Sequence, residues 1–136
     1  MSRKNAIILT EEKLKSLKVE NFLAITIAEI GAMGDPGAIE FVDDKLNLYC
    51  THFGEMSDSL LEEKIPFLKT VQIMFGSIKN LSDDWAGIYT GYGNYLFVRP
   101  EYKDGIVNYI KDKYDDISVS SLYIHWYEAL QAVVQK

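Results

Sequence analysis

Cys50 and His52 stand two residues apart in Leu48-Tyr49-Cys50-Thr51-His52, and the period of a strand would turn both side chains to one face. A thiolate beside an imidazole is nucleophile chemistry. It also requires an orienting third group, an oxyanion pocket and exposure, and the sequence identifies none of these. Core packing for Cys50 and a strand-end position for His52 is therefore the preferred reading. With Asp35 from the turn-rich segment Gly31 to Gly37, the pair defines an alternative pocket of Asp35, Cys50 and His52.

Two glycine-rich stretches invite a phosphate reading. In Tyr89-Thr90-Gly91-Tyr92-Gly93-Asn94-Tyr95, Gly91 and Gly93 match the first two glycines of a dinucleotide fingerprint, but Leu96 holds the third position. Phe97-Val98-Arg99 then continues a strand, where a phosphate site needs a helix N-terminus. A bend between strands accounts for the glycines. The segment Gly31-Ala32-Met33-Gly34-Asp35-Pro36-Gly37 has no Gly-Lys-Ser/Thr after it and leads into a strand, so a tight connection is expected there, one able to line a site.

His125 and Glu128 lie at the i, i+3 spacing that lets two ligands share a metal, yet the chain holds two histidines and one cysteine. A structural role for His125 is expected, with no metal site and no cofactor. The acid pairs Asp43-Asp44, Asp83-Asp84 and Asp115-Asp116 read as solvated turns, because neighbours on a strand point opposite ways. No catalytic residue is assigned, and the balance leans away from an enzyme.

The elements that must carry these residues follow from periodicity. Thr10 to Lys18 reads as a capped amphipathic helix of about two turns. From Asn21 to about Glu29, Leu23, Ile25 and Ile27 alternate with smaller residues as a strand, and Ile39, Phe41 and Leu46, Leu48, Cys50 flank Asp43-Asp44-Lys45 as a hairpin. Ser57 to Lys64 is a second helix, with Ser59 to Glu62 at capping-box spacing. Pro66 can open a helix reaching about Lys79, although Thr70 to Phe75 also fits a strand. Trp85 to Thr90 and Tyr95 to Arg99 form a second hairpin, Glu101 to Tyr114 a helix behind Pro100, and Ser120 or Ser121 caps a last helix ending near Gln135. The expectation is a single α+β domain over residues 1–136: a mostly antiparallel sheet of about five strands, including two hairpins, packed on four or five helices.

Composition limits the function. With 136 residues, 48% of them hydrophobic, the chain can bury about two-thirds of its unfolded surface without a disulfide or metal staple. The single cysteine and the short apolar run Ala6 to Leu9 suit a cytoplasmic protein with no membrane segment. Net charge is −6; residues 1–20 hold five basic and three acidic groups, so the remainder carries nine against seventeen. A surface of that sign repels nucleic acid and anionic lipid.

Eight of the nine tyrosines fall at or after Tyr89, among acids that begin at Asp83. Tyrosine offers large interface area with few rotatable bonds, and carboxylates around it steer a basic protein partner inwards. The expected docking residues are Asp83, Asp84, Tyr92, Tyr95, Glu101, Tyr102, Tyr109 and Asp112. In size and charge the chain is similar to the immunity proteins that neutralise bacterial toxins such as nucleases; no motif carries the likeness, so no residue is transferred. Two other readings stand beside it: a small enzyme or ligand-binding protein using the pocket near Gly31 to Gly37, Cys50 and His52, and a homodimer formed through the last helix.

Overall fold

Alternation of large and small residues over Phe22–Ile30 produces β2, whose Phe22, Ala24, Ile25 and Ile27 are buried. Ile25 and Ile27 enter one core while Ala24 enters another. The structure is a computed structural model, and it describes residues 6–30, 35–52, 56–67, 83–91 and 94–135.

The class is α+β. Among the described residues six strands form one sheet in the order β1-β4-β3-β2-β6-β5, where β1 is Ile7–Ile8, β3 Asp35–Asp43, β4 Leu48–His52, β5 Ala86–Gly91 and β6 Asn94–Val98. Neighbours pair antiparallel except β1, which runs parallel to β4 with Ile8 opposite Cys50. The sheet is thus mostly antiparallel, as expected, with one strand more than the expected five and a single short parallel pair that makes it mixed. At two residues β1 is too short for alternation to reveal it.

Among the described residues four α-helices cover the sheet: α1 Glu11–Ser16, α2 Asp58–Lys64, α3 Pro100–Tyr114 and α4 Val119–Val134. Leu14 of α1 and Leu61 of α2 enter the core containing Ile25, Ile27, Phe41 and Phe97. Ile106 and Ile110 of α3 join Trp126, Ala129 and Leu130 of α4 on the opposite face, over Ala24, Val42, Leu96 and Val98. Gly105 lets the two helices approach closely, for a Cβ there would stand 3.0 Å from both methyls of Val133.

Local chemistry sets the boundaries. Thr10 Oγ1 accepts the Lys13 N–H and Ser57 Oγ the Leu60 N–H, so the cap of α2 is Ser57, ahead of the Ser59 box. The last helix is capped by Ser118, whose Oγ accepts the Ser121 N–H, two residues before the earliest expected cap. Asp116 explains the shift, since its carboxylate accepts the Ser118 N–H and hydroxyl and holds the cap in place. Strand β3 starts at Asp35, inside the segment expected to be a turn. Pro36 is tolerated because the β3–β4 ladder begins only at Ala38 and the β2–β3 register shifts between Ala28 and Glu29. The helix or strand expected beyond Pro66 lies outside the described residues from position 68, as do Gly31, Gly34 and Gly93.

Two polar anchors tie irregular segments to the sheet. Asp43, expected as a solvated turn residue, is buried: its carboxylate accepts the Lys45 and Asn47 N–H groups, the Asn47 side-chain amide and the Tyr49 hydroxyl. These bonds hold a turn in which Leu46 takes a left-handed φ of 64°, and Tyr127 of α4 donates to the Leu46 carbonyl at 2.6 Å. Arg99, between β6 and α3, donates from Nε to Phe22 O, from Nη2 to Val19 O and from Nη1 to Asp84 O. Its guanidinium also lies 4.0 Å from the Trp85 ring centroid.

Arg99→Ala is expected to lower the unfolding free energy in urea titrations by about 2–4 kcal/mol, as three carbonyls lose a charged donor together. Arg99→Lys should recover less than about half of that, because an ammonium cannot reproduce a planar fork.

Candidate functional site

Glu128 is the centre of the acidic, tyrosine-rich part of the chain. Its carboxylate accepts the Tyr109 hydroxyl at 2.7 Å, the Tyr114 hydroxyl at 2.7 and 2.8 Å, and Lys113 Nζ at 2.8 Å. The three donors sit on the last turns of α3 and Glu128 on the middle of α4, so one acid joins two helices. The Lys113 ammonium, with help from the phenols, pulls the Glu128 carboxyl down to about 2 against the opposing effect of partial burial. The bond to Glu128 in turn raises the Tyr114 phenol. His125 stacks on the Tyr114 ring, with centroids 3.8 Å apart. The i, i+3 pair His125 and Glu128 thus serves the helix contact, and among the described residues no three His, Cys, Asp or Glu side chains gather to hold a metal.

The docking residues expected from the sequence divide into groups. Asp83, Asp84 and Glu101 are exposed and lie around the start of α3, where Arg99 holds the Asp84 carbonyl. Asp112 is exposed near the other end of that helix, about 16 Å along the axis from Glu101 at helical rise. Tyr102 is half-buried against the helix-side core, and Tyr109 is committed to Glu128. Tyr95 lies in the core beside Tyr89, at 5.1 Å between ring centroids, so it is not an anchor open to a partner; it pairs across the β2–β6 ladder with Ile27, and both side chains enter the same core. Tyr92 lies outside the described residues.

A second feature sits beside Glu128, at the corner from α3 into α4. Asp115, with a left-handed φ of 52°, ends α3, and Asp115, Asp116 and Ile117 are exposed in succession. On the outer face of the first turns of α4, Ser120, Tyr123 and Ile124 are exposed too. Ile117 is 51% and Ile124 63% accessible, where their neighbours Trp126, Ala129 and Leu130 are at 2% or less. The sequence carried a signal for this: Ile124 falls on the side of α4 opposite Trp126, two residues away along a helix.

The alternative pocket resolves into a row on the sheet. Register places Cys50 opposite Glu40 and Glu40 opposite Thr26, all three half-buried, with Thr26 Oγ1 donating to Glu40 Oε1 at 2.9 Å. His52 follows on β4 opposite Ala38, while Asp35 lies at the start of β3, opposite Ile30. Glu40 was not singled out in the sequence, since its neighbour across the sheet is decided by register alone.

No known protein family, curated protein or solved structure matches the chain. No helix among the described residues is long and apolar enough to cross a membrane.

The clamp has a defined pH dependence. Glu128 ionises more readily in the folded chain, so its contribution is complete above about 4.5 and is lost as pH falls towards about 2. Glu128→Gln is expected to cost about 1 kcal/mol in neutral urea titrations after solvent screening. The wild-type and variant stabilities should converge across that acid window; parallel curves would show that the carboxylate contributes nothing.

Proposed function

We propose that the protein is a recognition module for a positively charged protein, acting as an immunity-type inhibitor that covers a basic surface such as the phosphate-binding groove of a nuclease. The observation carrying this reading is the α3–α4 corner, where exposed Asp115 and Asp116 run into exposed Ile117 ahead of exposed Tyr123 and Ile124, with exposed Asp112 on the last turn of α3. An apolar centre with a charged rim is how protein interfaces combine affinity with steering. Of the two lysines in the same stretch, Lys113 is bound to Glu128 and exposed Lys111 offsets one of the three aspartate charges, so the corner keeps a negative balance. The acids at the start of α3 extend the same field and would add to the encounter rate more than to the final contact.

One observation favours a second reading. The half-buried row Cys50, Glu40 and Thr26 puts a thiol, a carboxylate and a hydroxyl on adjacent strands, an arrangement suited to a small polar ligand. A ligand held there would lose affinity on Thr26→Val or Glu40→Gln and would be indifferent to surface aspartates.

Partner capture from native extract at low and high salt separates the two. The recognition reading expects a basic protein retained at low salt and released at high salt, with Asp112→Asn, Asp115→Asn and Asp116→Asn together weakening it by more than about tenfold. Retention insensitive to both salt and these changes would overturn it.

A further inference from the structure

Resting on the recognition reading, we propose that the outer face of the first two turns of α4, with Ile117 ahead of it, is the docking surface, and that its occupant is a basic amphipathic segment of the partner protein. An apolar side chain of that segment would cover Tyr123 and Ile124 while its lysine or arginine residues meet Asp115 and Asp116.

Carboxylates adjoin an exposed apolar face, so a cationic partner with an apolar side is complementary to it. Ile117, Tyr123 and Ile124 are 51%, 40% and 63% exposed, and Ile117 follows directly on two exposed aspartates. Burial of such side chains is favourable, and the face is already rigid, because Asp116 and Ser118 cap the helix and Glu128 ties it to α3. Ordering entropy at the docking surface is therefore small.

The same charges argue against other occupants. In a symmetric dimer the patch would face its own copy and bring Asp115 and Asp116 of one chain towards those of the other, within a pair already carrying −6 on each chain. An anionic membrane is repelled in the same way. A cationic partner alone gains from both components of the face.

Two synthetic peptides of equal length and charge test this by amide chemical-shift titration of the whole chain: a lysine–leucine amphipathic helix, and a version with every leucine replaced by serine. The lysine–leucine peptide is expected to bind at least about tenfold more tightly and to shift the amides of Ile117, Tyr123 and Ile124. Ile124→Ser should abolish that preference with unchanged circular dichroism, whereas Ile8→Ser, on the far edge of the sheet, should leave it intact. Equal affinity for the two peptides would overturn the apolar dock while leaving acidic recognition standing. Absence of salt-sensitive binding by either would overturn both, and a concentration-dependent dimer abolished by Ile124→Ser would replace the basic segment with a second copy.

Discussion

Strand β2 must satisfy two cores at once, and the arrangement of the sheet follows from that requirement. Ile25 and Ile27 pack with Phe41, Phe97 and Leu14 on one side, while Ala24 supports the α3–α4 pair on the other. Because successive side chains point to opposite faces, a slip of one residue would exchange the two sets and place isoleucines under helices that fit against alanine. The neighbours of β2 enforce the register. Phe41 and Phe97 both pair with Ile25, and Val42 and Val98 both pair with Ala24.

Among the described residues this two-sided packing uses most of the large apolar side chains; Ile7, Ile8, Tyr89, Ile117, Tyr123 and Ile124 are left exposed. Tyrosines at 95, 109, 114 and 127 look alike as a composition but have separate duties: Tyr95 fills the core, Tyr109 and Tyr114 bind Glu128, and Tyr127 supports the strained turn at Leu46. Ile117, Tyr123 and Ile124 are exposed, and Ile117 directly follows the acids that end α3.

Much of the fold was legible. The hairpins around Asp43-Asp44-Lys45 and Gly91 to Asn94 show in alternation broken by turn residues, and α3 shows in Pro100 followed by apolar residues at helical spacing. The errors have specific causes. Ser120 and Ser121 are as good a cap as Ser118 until Asp116 is seen to hold Ser118. Pro36 announces a turn, yet a strand end without a second neighbour admits proline. Asp43 beside Asp44 reads as solvent-exposed, and only the inward direction of the turn and its four donors make burial affordable.

What the residue order determined alone is the α+β class, the sidedness of the central strands and the acidic, tyrosine-rich character of the C-terminal part, because these depend on periodicity and composition within short windows. Tertiary structure decided which tyrosines remain accessible, that Glu128 closes the α3–α4 pair and that Cys50 lies across from Glu40. Those outcomes depend on partners 10 to 19 positions away in the chain, brought within a few ångströms by packing and strand register. No local pattern encodes such a meeting, since hydrogen bonds and side-chain contacts act over distances that only the folded chain defines.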